Sequence, residues 1–170
     1  MPLLARMLAS PLSVDIRRGA VDNLSSLLHE RYISTTGRVL VAVYGLLALA
    51  ATGRSILQIS EYFDRAPVPY ILSAVAAVIY LVATIGLARG DRASVRLATI
   101  ALSVELIGVL VVGTVSTIRP EAFPDKTVWS HFGEGYGFVP LLLPLVGLWW
   151  IRRTARASAA SVAEVAQSAD

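Results

Sequence analysis

Four apolar stretches follow one another along the chain. The first runs from Val39 to about Ile59 (VLVAVYGLLALAATGRSILQI) and the second from Pro69 to Ala88 (PYILSAVAAVIYLVATIGLA). The third covers Val95 to about Ile118, and the fourth covers Gly137 to Ile151 (GFVPLLLPLVGLWWI). A helix rises 1.5 Å per residue and the hydrocarbon core of a bilayer is about 30 Å thick, so about twenty mostly apolar residues span it. The second stretch is the cleanest, uncharged throughout, and Pro67 and Pro69 open it where a missing N–H costs nothing. The fourth is short and holds Pro140 and Pro144. Tilt, or extension into the glycine-rich residues upstream, makes up its length, and Pro144 predicts a kink because its ring meets the carbonyl four residues back. The pattern therefore predicts an all-α integral membrane bundle of four transmembrane helices over residues 38–151.

The flanks read differently. In residues 1–37 the apolar runs are broken by Arg6, Pro11, Asp15 and Arg17, so no clean signal-peptide core forms. From about residue 14 the spacing turns amphipathic: Val14, Val21, Leu24, Leu27 and Leu28 share a stripe, with Arg18, Asp22, Ser25 and Glu30 elsewhere. This predicts a helix lying on the membrane surface. The tail, residues 152–170, is small and polar beyond Arg156 and predicts loose or frayed helix.

Composition agrees with a nonaqueous surround. Of 170 residues, 55% are hydrophobic, and the mean hydropathy is +0.65, above what a water-exposed surface of this size allows. Cysteine is absent, which excludes disulfides and thiolate chemistry. Lys126 is the single lysine among 15 cationic residues. The arginines flank the apolar segments. Arg6, Arg17, Arg18, Arg31, Arg38, Arg89, Arg92, Arg96, Arg152, Arg153 and Arg156 fall on one side, against Arg65, Arg119 and Lys126, with Arg54, on the other. By the positive-inside bias both termini are expected in the cytoplasm of a bacterial cell. Trp149 and Trp150 then sit at the inner interface. No basic groove with interleaved aromatics is present, so the charge does not argue for nucleic acid.

Lipid tails are as apolar as leucine, so close backbone approach at small residues has to hold the helices together. The first span offers Ala42, Gly45, Ala48 and Gly53; the second Ser73, Ala76, Ala77, Ala83 and Gly86; the third Ser103, Gly108 and Gly113.

Two places carry candidate chemistry. Glu105 stands inside the third apolar stretch (LATIALSVELIGVLVVG), about nine residues or roughly 14 Å above Arg96. A charge at mid-span costs about 2.5–3.5 kcal/mol on insertion scales. Arg54, about 22 Å up the first span by the same rise, is the expected partner of an intramembrane ion pair. The alternatives are a role for Glu105 in proton transfer or ion binding, or a protonated glutamate bonded to a neighbouring helix or subunit. The second place is the long connection RPEAFPDKTVWSHFGEGYG after the third span. Trp129, His131, Glu134 and Tyr136 in it are the contact candidates, and its aromatics predict an ordered, interfacial loop. His131 and Glu134 are three apart, but one His with one Glu does not make a metal site. The GEGYG run lacks the strand and Gly-Lys-Ser/Thr of a phosphate loop and the Thr-Val and pore helix of a potassium filter. Its plain reading is flexible backbone entering the fourth span. Ser130 beside His131 is not a triad. No cofactor, metal or enzymatic activity is expected.

The stretches VYGLLALAATGRSILQI and HFGEGYGFVPLLLPLVGLWW carry a resemblance. The chain resembles small uncharacterised four-span integral membrane proteins of GC-rich actinobacteria, a resemblance that implies no activity and assigns no site residue. The functional expectation is a non-catalytic accessory or scaffold subunit of a larger inner-membrane assembly, a respiratory or envelope complex among the options. Its partners are the lipid bilayer and other membrane subunits. The alternative is a small homo-oligomeric transporter or channel with Glu105 and Arg54 in an ion or proton path.

Overall fold

The computed structural model describes residues 35–167, and the amphipathic helix expected from about residue 14 lies outside them. Four α-helices follow in chain order: α1 (Thr35–Tyr62), α2 (Pro67–Arg89), α3 (Arg92–Ile118) and α4 (Val139–Gln167). Short 3-10 turns occupy Phe63–Arg65, Pro120–Ala122 and Ser130–Tyr136, and no strand occurs among the described residues. The helices α1, α2 and α3 are each long and apolar enough to cross a membrane. A fourth crossing is reached if Ser130–Tyr136 and Val139–Glu164, bent by 96° at their junction, count as one broken span.

Each helix starts earlier or ends later than hydropathy alone marks. α1 already includes Thr35, Thr36, Gly37 and Arg38 ahead of Val39, with no proline among them to interrupt it. α2 starts on Pro67, whose fixed φ suits a first turn, and ends at Gly90 in the left-handed region (φ 71°). Asp91 then caps α3, its carboxylate accepting from the backbone N–H groups of Ala93 and Ser94. Hydrogen bonds from the Ser94 hydroxyl and backbone, and from Ala93, hold the Asp91 carboxyl below the usual aspartate range. Glycine and cap together reverse the chain in two residues, which makes α2 and α3 antiparallel neighbours. The tail does not stop near Ile151: α4 continues through Arg152 and Arg153 to Gln167.

Neighbours in sequence are neighbours in space: α1 packs on α2, α2 on α3, α3 on α4, while α1 and α4 barely touch. Small residues set these contacts. Ser73, Ala76, Ala77 and Ala83 of α2 are buried, as are Ala98 and Ala101 of α3. A Cβ on Gly86 would lie 2.8 Å from the Ser94 carbonyl oxygen and 2.9 Å from Ala98 Cβ, and one on Gly147 of α4 would strike Leu102. Gly53 of α1 differs, with no atom within 4 Å of the same position.

Gly86→Ala should therefore destabilise the protein by about 1–3 kcal/mol through forced backbone displacement. Gly53→Ala should be neutral or stabilising by up to about 1 kcal/mol from helix propensity. Thermal unfolding of the two variants side by side in one detergent checks the difference.

Candidate functional site

The buried face of α3 is Ala98, Ala101, Leu102, Glu105, Val109, Val112, Gly113 and Ser116, spaced by threes and fours. Glu105 thus belongs to the helix's packing stripe, and helical geometry alone turns it inward. Its exposure is 0%. The Tyr44 hydroxyl of α1 donates to Glu105 Oε2 at 2.8 Å. The Tyr44 ring meets the Tyr80 ring of α2 with centroids 6.2 Å apart and planes inclined by 52°. The Tyr80 hydroxyl in turn accepts from Trp129 Nε1 at 3.1 Å. Three helices and the loop thus bring one polar group each to a single apolar level. Glu105 Oε1, also buried, has no hydrogen-bond partner.

Arg54 is not part of this cluster. Its guanidinium donates through Nη2 to the Lys126 carbonyl at 2.6 Å and through Nη1 to the Tyr136 hydroxyl at 3.2 Å. The expected ion pair with Glu105 is replaced by two separate attachments. The reason is register. Tyr44 is level with Glu105, and Arg54 stands ten residues farther along α1, about 15 Å by helical rise. The ten-residue spacing of Arg54 from Tyr44 on one helix therefore sets Arg54 beside the loop and away from the carboxylate.

The loop from 119 to 138 folds back between the helices. Trp129 is 3% exposed. Its ring lies on Gly108, where a Cβ would come within 2.7 Å of Trp129 Cζ3. Gly108 is ten residues before the end of α3 at Ile118, so the indole reaches about 15 Å below that end. Phe132 covers Gly113 in the same way. Trp129 was expected at an interface and is instead interior, because two glycines on α3 open a slot that its ring fills. Side chains satisfy the loop's backbone: Thr127 N–H donates to Ser130 Oγ at 2.9 Å, Trp129 N–H to Thr127 Oγ1 at 3.0 Å, and His131 N–H to Ser116 Oγ at 2.9 Å. The Tyr70 hydroxyl of α2 donates to Asp125 at 2.8 Å.

Backbone strain is concentrated next to the tryptophan. His131, Phe132 and Gly133 take φ values of 49°, 60° and 82° in succession, and Phe138 takes 61°. Only glycine occupies this region freely. Gly133 must also remain glycine, since a Cβ there would lie 2.8 Å from Pro140 Cδ. The His131 Nδ1 atom is buried without a partner, whereas Glu134 is exposed. The two do not form a ligand set, and no group of three or more metal-ligating side chains occurs among the described residues.

A second feature lies on the other face of α1. A groove of about 740 Å³ runs between α1 and α2, lined by Ala42, Gly45, Ala48, Leu49, Thr52 and Leu81. A further groove of about 520 Å³ shares Thr52 and Leu81 and reaches Ser55 and Ile59. The Ser55 hydroxyl is buried and without a partner. Leu49, 74% exposed, stands at the edge.

No protein-family model, no curated protein and no solved structure matches the chain. The site therefore has to be interpreted from its own geometry. Tyr44 and Tyr80 were not singled out in the sequence, although hydroxyls in the middle of apolar spans were a visible signal.

Tyr44→Phe should cost about 1–3 kcal/mol, because it removes the one donor on a buried carboxyl. Arg54→Gln should leave Glu105 in place and raise hydrogen–deuterium exchange across residues 126–136. Thermal unfolding and exchange mass spectrometry on both variants separate the two effects.

Proposed function

We propose that the protein is a four-span bundle of the bacterial cytoplasmic membrane and serves as a non-catalytic accessory subunit of a larger membrane assembly. The described helices would carry Arg38, Arg89, Arg92, Arg152 and Arg153 at the cytoplasmic end, with the 119–138 loop facing outward. The cation–π contact of Arg153 with Trp149, 5.2 Å from guanidinium carbon to ring centroid, suits an interfacial position at that end.

The observation that carries the reading is the open glycine face of α1. Gly86, Gly108, Gly113, Gly133 and Gly147 each have an internal reason, since a side chain would collide with a neighbour. Gly53 has none, and Gly45 has only an ordinary 3.8 Å approach to Thr84. A lipid chain adapts to any side chain and needs no glycine. A second helix at close range does need one, because its backbone must come near. We therefore assign the exposed face of α1 that carries Gly45 and Gly53, beside the α1–α2 groove, to a transmembrane helix of a partner subunit.

The competing reading, a transport path lined by Arg54 and Glu105 together, is less well supported. Arg54 is engaged in holding the loop, and its place about 15 Å from the level of Glu105 separates the two groups that such a path would join.

Mild-detergent extraction of the full chain should bring down a larger complex, and Gly53→Leu should release the partner while the protein itself stays folded. Extraction as a single chain, or a complex indifferent to Gly53→Leu and Gly45→Leu, would remove the support for this reading. In proteoliposomes the isolated protein should give no ion flux, with Glu105→Gln as the control.

A further inference from the structure

We propose that Glu105 is a proton-exchanging site open to the loop side alone, with Trp129 as its stopper. The inference concerns the interior of the molecule and does not depend on a partner beside the α1–α2 groove.

The first support is the carboxyl itself. It is fully buried, Oε2 has one donor, and Oε1 has none. An unpaired carboxylate in such surroundings is an uncompensated charge, and a proton on Oε1 removes that charge. The titratable groups around it are Tyr44 on α1, which donates to it, and Tyr80 on α2. From α4 nothing titratable faces it, because residues 139–151 contain no titratable side chain. Arg54, the described cation that could have neutralised it from within the fold, is tied to the loop.

The second support is an asymmetry of the interior. The other buried polar side chains among the described residues are Ser55, Gln58, Ser73, Ser116, Thr127 and Ser130. By their positions along the helices, all six lie on the loop side of Glu105. Toward the arginine-rich end the buried layer of the described residues is built from Leu40, Leu87, Ala98 and Leu102, with the Trp150 indole, whose N–H only donates, among them. The half-buried hydroxyls on that side of α3, Thr99 and Ser103, are turned back onto carbonyls of their own helix. A proton approaching from the loop meets hydroxyls and an amide, set among Ala51, Val109 and Val112, whereas one approaching from the other end meets, among the described residues, hydrocarbon and a donor-only indole.

The third support is the way the loop side is closed. Trp129 sits on Gly108, three residues beyond Glu105, and its indole N–H is held by the Tyr80 hydroxyl. An indole N–H donates and cannot accept, so it blocks proton relay instead of passing it on. Exchange therefore requires Trp129 to leave its slot. The left-handed residues His131, Phe132 and Gly133 begin two residues later, and such strain persists only while surrounding bonds enforce it. Those bonds are the grip of Arg54 on Lys126 and Tyr136 and that of Ser116 on His131.

The test uses the full chain reconstituted in one orientation in phospholipid vesicles, with the pH set separately on the two faces. A membrane-permeant carbodiimide, which attaches to protonated carboxyls in apolar surroundings, reports on Glu105 by mass spectrometry. Labelling should fall when the loop-side pH is raised and ignore the pH of the opposite face, and Glu105→Gln should abolish it. Trp129→Phe keeps an aromatic ring but loses the bond to Tyr80 and part of the bulk in the slot, and should speed the response at least roughly tenfold, the effect of losing one buried hydrogen bond on an opening step. A response to the arginine-rich face, to both faces equally or to neither overturns the proposal. An unchanged rate in a folded Trp129→Phe protein overturns the role given to the stopper.

Discussion

Polar atoms placed among apolar side chains must find their partners inside the protein, and the architecture follows from that requirement. A helix meets it by itself, because each N–H reaches a carbonyl of the same segment. An irregular stretch cannot. Residues 119–138 are irregular and yet reach about 15 Å below the end of α3. They are accommodated because Thr127, Ser130 and Ser116 take up their amides and Arg54 takes up the Lys126 carbonyl. Arg54 is stabilised by the same contacts. Its position in a mostly apolar helix follows from the loop's need for a long cationic donor, with no role for the carboxylate on α3.

Within the helices and at the tryptophan slot, glycines serve two ends, one of folding and one of function. Those at 86, 108, 113, 133 and 147 make room for something inside the molecule: a turn of α3, an indole, a phenyl ring, a proline and a leucine. Their removal is a matter of stability. Gly53 makes room for nothing in this chain, and on the proposed reading it makes room for another one. Buried polarity divides along a similar line. The hydroxyls of Thr99, Ser103 and Thr84 return to their own helices, whereas Tyr44, Tyr80, Glu105 and Trp129 join different elements.

Much of the fold was legible along the chain. Long uncharged runs bounded by arginine, proline and glycine are one-dimensional signals, because they report on the solvent each residue meets. The helical spans, the Gly90–Asp91 reversal and the inward face of Glu105 all follow from such local rules. The depth of Arg54 did not follow. It depended on which residue of α1 stands level with Glu105, and that is Tyr44, ten residues before Arg54. Ten residues are about 15 Å along the axis, enough to replace one partner with another.

By itself the sequence determined that long apolar runs form helices fit to cross a membrane, and that a carboxylate sits among them. Only the tertiary structure decided what that carboxylate touches. Composition predicts that a costly group must have a partner, but the choice among Arg54, Tyr44 and a neighbouring subunit depends on the relative heights of separate helices. Only the packing of α1 against α2 and α3 sets those heights. The same holds for Trp129. An aromatic in a long loop suits a membrane interface or an interior slot equally well, and the open faces of Gly108 and Gly113, on an element far away in sequence, selected the slot.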